Sequence, residues 1–367
     1  MKKRLTVITI WLLLCFLPAL ALAGCSAAGR EKEAGQTAPD GRPKIQVITT
    51  IFPPYDFVRQ VGGDYVEADM LLKPGMEAHS YEPSPRDIIR ITESDLFLYA
   101  GGESDVWVED LLEGSDSHVH AHSLLEWVEP LEEETAEGMQ TRGHDHDHAH
   151  DHNHDSGSAR EEIKEEAGGG TENTGVQDAG VQDAGVHLEE GEYDEHVWTS
   201  PANAILIVEK IRDTLSAIDP DRAGIYEENA RTYLEQLRRL DSDYRRVTGE
   251  AKRHTIIFGD RFPFLYLVKT YGLDYHAAFP GCSSETEPSA ATIAFLTDEV
   301  RQEHIPVVFY LELSNAKVAD AIAEATGTRT AMLHSCHTLT REEMQRGENY
   351  LSLMRQNLEQ LKLALNE

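Results

Sequence analysis

Six histidines stand at alternate positions, His144, His146, His148, His150, His152 and His154, among aspartates and without apolar periodicity. Neutral imidazole is the commonest protein ligand for zinc, copper and nickel, so this density points to transition-metal chemistry. A flexible polar ribbon loses conformational entropy for each ligand it contributes. It suits loose collection of ions, whereas a tight site needs ligands on a rigid scaffold.

Candidates for such a scaffold lie in four segments away from the ribbon. His79 falls within Lys73–Pro85, after an apolar run. His196 falls within Tyr193–Pro201, where regular sequence resumes. Asp260 and Arg261 close the run Ile257–Arg261, and His334, Cys336 and His337 close Met332–His337. In open α/β sheets, ligands bind in the crevice beyond the carboxyl ends of the strands. Two facing domains would bring all four segments into one cleft.

The elements needed to position them are legible as short apolar runs. In the first half these are Ile45–Ile51, Val66–Leu72, Leu96–Ala100 and Val119–Leu124. In the second they are Thr255–Phe258, Tyr275–Phe279, Val307–Leu311 and Thr330–Leu333. Near-continuous apolar strands alternating with helical segments imply parallel sheets covered on both faces. The expected fold is α/β: two lobes, each a four-stranded mainly parallel sheet flanked by helices, joined by one long rigid linker helix. That linker is expected over 219–250, where Asp219-Pro220 reads as a start signal and Tyr226, Ala230, Tyr233, Leu234, Leu237, Leu240, Tyr244 and Val247 form one stripe. A shorter helix from Pro201 to about Ala217 precedes it, and Glu342–Leu365 reads as one closing amphipathic helix.

Lys2, Lys3 and Arg4 precede an apolar run and then Leu22-Ala23-Gly24-Cys25, the pattern of an export signal with a bacterial lipobox. Residues 1–24 therefore read as a lipoprotein signal peptide, with Cys25 lipidated and 25–43 a polar tether. Acyl chains contribute about 0.8 kcal/mol per buried CH₂, so two of them hold a protein at a membrane surface. The N-terminal lobe is expected over 44–218 and the C-terminal lobe over 251–367. Residues 132–192, with acidic runs, the histidine ribbon and the tandem Gly175–Ala179 and Gly180–Ala184 repeat, read as a disordered insertion in the first lobe. A net charge of −32 argues against a nucleic-acid partner. Once Cys15 leaves with the signal and Cys25 takes lipid, Cys282 and Cys336 remain. In an oxidising compartment they are expected to pair, with thiolate ligation as the rival.

The lipobox, His79 within Pro-Gly-x-Glu-x-His-x-Tyr-x-Pro-Ser-Pro, and His196 within Asp-x-His-x-Trp-x-x-Pro together resemble the zinc and manganese solute-binding lipoproteins of ABC importers. Tyr271-Gly272-Leu273, Glu287-Pro288-Ser289 and the closing Tyr350–Leu358 segment extend the resemblance from about Ile45 to the carboxyl end. It implies two α/β lobes with one metal held between them, and it makes His79 and His196 the first two ligands. The family's third ligand, a histidine or glutamate, falls on Arg261, which cannot bind a cation. Asp260 is the expected replacement, with His276 and Glu287 in reserve. The fourth, usually an aspartate, falls on His334, with His337 as competitor, and Glu77 is a further auxiliary carboxylate. The resemblance also favours the Cys282–Cys336 disulfide over ligation.

Three imidazoles and one carboxylate suit tetrahedral Zn(II) better than Mn(II), which prefers more oxygen ligands. No His-Glu-x-x-His occurs, so a zinc protease is not expected and the chain does not read as an enzyme. The expectation is a monomeric extracytoplasmic protein, anchored to the bacterial cell membrane through Cys25, that captures zinc and delivers it to an ABC permease and its ATPase. Alternatives are the manganese- or iron-binding component of such a transporter, or a histidine-rich surface lipoprotein that buffers metal or mediates adhesion.

Overall fold

Strands such as Leu96–Tyr99, apolar at nearly every position, must be covered on both faces, and the computed structural model places them so. It describes residues 37–77, 81–114, 119–139, 193–281 and 287–367. In the first lobe β1 (Ile45–Thr49), β2 (Val66–Met70), β3 (Leu96–Tyr99) and β4 (His120–Ser123) form a sheet in the order β2-β1-β3-β4. In the second, β5 (Thr255–Phe262), β6 (Asp274–Pro280), β7 (Val307–Tyr310) and β8 (Arg329–Met332) repeat the order as β6-β5-β7-β8. Every pairing in both sheets is parallel. The two four-stranded sheets flanked by helices are those expected, with each strand displaced by only a few residues.

The helices are α1 (Phe52–Gly62), α2 (Pro85–Thr92), α3 (Val106–Glu113), α4 (Pro201–Ile218), α5 (Ala223–Gly249), α6 (Leu265–Tyr271), α7 (Ala290–Gln302), α8 (Lys317–Thr326), α9 (Arg341–Arg346) and α10 (Tyr350–Asn366). At 27 residues, α5 is about 40 Å long. Its predicted stripe, Tyr226 through Val247, is buried along its whole length. Asp219 does not cap it: a 3₁₀ turn over Pro220–Arg222 intervenes, and the Asp219 carboxylate accepts from Arg222 instead.

The inner faces of both sheets share one apolar core. Val47 and Leu96 of the first lobe, Phe258 and Val307 of the second, Leu237 of α5 and Leu361 of α10 belong to the same contiguous cluster. Polar ties reinforce it. The Tyr244 hydroxyl on α5 donates to the Met354 carbonyl on α10 at 2.8 Å, and buried Asp56 on α1 accepts the Tyr350 amide of α10 at 3.1 Å. Swinging the lobes apart would expose this shared apolar surface to water, which opposes wide opening. Among the described residues, no helix is long and apolar enough to cross a membrane.

Three further sequence expectations need correction. The closing segment is two helices, because Gly347 takes the left-handed conformation (φ 75°) and ends α9, and Asn349 caps α10 through the Ser352 amide. The end of the expected tether is docked: Asp40 accepts two hydrogen bonds from buried Arg222, each 2.8 Å. The front of the expected insertion is ordered as well. Glu132 pairs with Tyr193 in an isolated bridge, and Gly138 lies so close to Phe295 that a Cβ there would come within 2.1 Å of the ring. The six ribbon histidines, Cys25 and the signal lie outside the described residues.

Candidate metal centre

His196 opens a short 3₁₀ turn, Val197–Thr199, just before α4 and is almost wholly buried. Asp194, two residues earlier, folds back on it. One carboxylate oxygen, Oδ1, accepts the His196 backbone N–H at 2.7 Å and lies 3.0 Å from ring Nδ1. An Nδ1–H donated to Asp194 leaves Nε2 with its lone pair, the arrangement that fixes ring and tautomer for metal ligation. Asp194 is held in turn: its amide donates to the Leu131 carbonyl at 2.9 Å, and its carbonyl accepts the Tyr266 hydroxyl at 2.9 Å. Burial disfavours the His196 cation, but Asp194, with Glu195 beside it, more than offsets this and raises the pKa above that of free imidazole.

His337 comes from the segment between β8 and α9. Its ring stands edge-on to that of His196, with centroids 5.4 Å apart and planes at 88°, and lies 5.0 Å from the Trp198 ring. Glu195 completes the group. One ligand atom from each of Glu195, His196 and His337 lies within 4.8 Å of the others, and all three residues are buried. Tetrahedral zinc ligands at 2.0–2.1 Å from the ion sit about 3.4 Å apart, so a modest contraction would close this group on an ion. Glu195 is preoriented by Ser104, whose amide and hydroxyl donate to its two oxygens at 3.0 and 2.6 Å. Behind it, burial and the Glu195 charge push the Asp105 carboxyl up to about 7. A buried concentration of carboxylate next to two imidazoles favours a divalent cation.

The other sequence candidates are placed differently. His79 lies outside the described residues, but Glu77 is described and lines the cleft with His196 and His337. Its carboxylate meets Arg261 across the lobes at 2.9 and 3.3 Å. Asp260 is not in the group: its oxygens accept the Arg261 amide at 2.9 Å and the Leu311 amide at 3.4 Å, tying β5 to the end of β7. His334 is not in the group either. It is buried with Nδ1 accepting the Cys336 amide at 2.9 Å and Nε2 facing Glu343 at 3.6 Å, while Asn357 holds its backbone. His276 packs on Phe295 and faces Glu299 at 3.8 Å, away from the cluster. Glu287 is exposed and outside it. Cys336 is a free buried thiol here, and its expected partner Cys282 lies outside the described residues.

Sequence reasoning assigned no site role to Glu195, Asp194 or Asp105. The available signal was the Asp-x-His spacing itself, which lets one carboxylate reach both the amide and the ring of the histidine.

Residues 47–364 match the family described as ZnuA, zinc-uptake complex component A, periplasmic. The chain belongs to this family. The zinc-binding lipoprotein AdcA of Streptococcus pneumoniae is 33% identical over 361 residues, covering 98% of this chain and 61% of that protein. The chain thus spans about three fifths of the length of that relative. The high-affinity zinc uptake system protein ZnuA of Bacillus subtilis is 31% identical over 355 residues, covering 96% of this chain and 95% of its own. Among solved structures, the Zn(II)-bound ZnuA-like domain of Streptococcus pneumoniae AdcA superposes with a TM-score of 0.65 at 30% identity. That likeness covers 88% of this chain and all of the domain. ZnuA proteins are solute-binding transport components, and the fold of this chain is theirs.

Proposed function

We propose that this ZnuA-family chain captures Zn(II) between its lobes outside the cytoplasm and hands it to an ABC permease driven by an ATPase. The observation that carries the reading is the meeting of His196, His337 and Glu195, with Asp194 Oδ1 3.0 Å from Nδ1 of the first imidazole. The proposed ligands are His196 and His337, the Glu195 carboxylate, and His79, two positions after Glu77 in the sequence. Three imidazoles with one carboxylate make the borderline-soft set that zinc prefers. Lipid on Cys25 would keep the protein at the membrane, where it would act as a monomer, and Cys336, a free thiol in the structure, would pair with Cys282 in that oxidising compartment.

The names of the relatives support zinc as the cargo. The test is a zinc titration with native mass spectrometry on the exported protein and on His196→Ala, His337→Ala and His334→Ala. One tight zinc in the parent and in His334→Ala, lost in the other two variants, is the expected pattern. Tight binding that survives His337→Ala and disappears with His334→Ala would overturn the ligand set.

A further inference from the structure

Glu312 follows β7, its side chain 6% exposed, in the wall of the cleft that His196 and His337 also line. Both of its oxygens accept from Ser335, and Oε1 also lies 3.6 Å from Nδ1 of buried His334. Oε2 accepts the Ser335 backbone N–H at 2.8 Å, and Oε1 accepts the Ser335 hydroxyl. That hydroxyl oxygen in turn accepts the His337 backbone N–H at 3.1 Å. The Ser335 carbonyl accepts the indole N–H of Trp198 at 2.8 Å. Trp198 is two residues beyond His196, so Ser335 joins the two histidine-bearing segments and Glu312 holds Ser335.

The segment needs such a hold. Between the end of β8 at Met332 and the start of α9 at Arg341 it has no regular ladder, and Cys336 sits in the left-handed region with φ 62°. A non-glycine residue stays there only when its surroundings impose it.

We infer that Glu312 is a positioning residue for metal capture: through Ser335 it sets the place of His337 relative to His196. This rests on the reading of those histidines as zinc ligands. An amide of the same shape keeps one oxygen for the Ser335 N–H and can turn its own N–H to the serine hydroxyl oxygen, so it preserves the link without the charge, whereas a methyl group cannot.

The experiment compares Glu312→Ala, Glu312→Gln and Ser335→Ala in zinc release to a competing chelator, in the visible spectrum of the Co(II)-loaded protein, and in exchange of the His337 amide in metal-free protein. Glu312→Ala and Ser335→Ala should release zinc at least about tenfold faster, alter the Co(II) bands and expose the amide. Glu312→Gln should stay within about threefold of the parent in release and keep the parent bands and protection. A parent-like Glu312→Ala overturns the inference. So does a Glu312→Gln as impaired as the alanine variant, because charge would then be the active property. If Glu312→Ala fails to fold, Ser335→Ala decides, since it keeps the carboxylate and removes only the link to His337. A parent protein that takes up no zinc would sink the importer reading, whereas amide protection without metal still decides the clamp.

Discussion

The rings of His196 and His337 stand perpendicular, 5.4 Å apart, although 141 positions separate them in sequence. His196 arrives on the turn before α4, and His337 on a loop of the second lobe whose carbonyl accepts the Phe52 amide of the first at 3.2 Å. The pair is therefore fixed by contacts that cross between lobes, and zinc should be gripped only when both lobes are in place.

Asp194→Asn tests how far the second layer controls the first. The carboxylate holds His196 at Nδ1 and at its amide, so an amide in its place leaves the ring free to adopt the wrong tautomer. Loss of such a partner costs about 10- to 100-fold in metal affinity. Zinc Kd by chelator competition should weaken by that amount with the fold unchanged in circular dichroism. An unchanged Kd would remove Asp194 from the site's design.

Zinc affinity should fall as pH falls, and should begin to do so above the ordinary imidazole pKa. Ligation needs neutral His196, while Asp194 raises its pKa in the metal-free protein, so protons compete earlier than for a free histidine. The sign for stability follows from the same shift. A raised folded-state pKa stabilises the metal-free form at low pH, and that contribution is lost as pH rises through the folded pKa. The gain in Tm on adding zinc should therefore grow from pH 6 to pH 8. A gain that is flat over that range would contradict the tautomer and charge assigned to His196.

Asp56 gives a second pH signature, away from the metal. Burial raises its pKa, although the Gln60 amide, the Tyr350 amide and the Tyr233 hydroxyl all favour the anion. The same linkage makes its contribution largest at low pH and lost as pH rises through its folded value. Asp56→Asn should therefore flatten the pH dependence, gaining on the parent at pH 8 relative to pH 5 in urea denaturation. Parallel curves for parent and variant would show that Asp56 does not titrate in this way.

The sheets were legible because strands buried on both faces must be apolar throughout, and α5 because its stripe keeps one period for more than six turns. The structure groups other residues than the sequence suggests where geometry depends on a single backbone choice. His334 and His337 share one loop, and the left-handed φ of Cys336, invisible in residue type, helps decide which ring turns inward. Asp260 lies within an irregularity in the β5–β6 register between Phe258 and Arg261, so strand alternation could not tell where its carboxylate points. Gly347 and Asn349 did signal the break between α9 and α10, but the apolar period runs on through them. The order at Glu132–Met139 comes from the surface of the second lobe, which the local composition cannot reveal.

Removal of the histidine-rich segment separates collection of ions from capture, provided the cut respects this order. Residues 132–139 pack on the second lobe: Glu134 meets Lys269 at 2.7 Å, and Glu132 pairs with Tyr193 next to the Asp194–Leu131 hydrogen bond. Replacing 140–192 with a short Gly-Ser linker leaves those contacts and the Asp194–His196 brace in place. That variant should keep one tight zinc with parent-like Kd while losing the weak sites contributed by the ribbon. Replacing 132–192 cuts into the brace, so Tm should drop and zinc bind more weakly. Calorimetry on both variants checks this. Loss of the tight site already in the shorter deletion would move the high-affinity ligands into the ribbon.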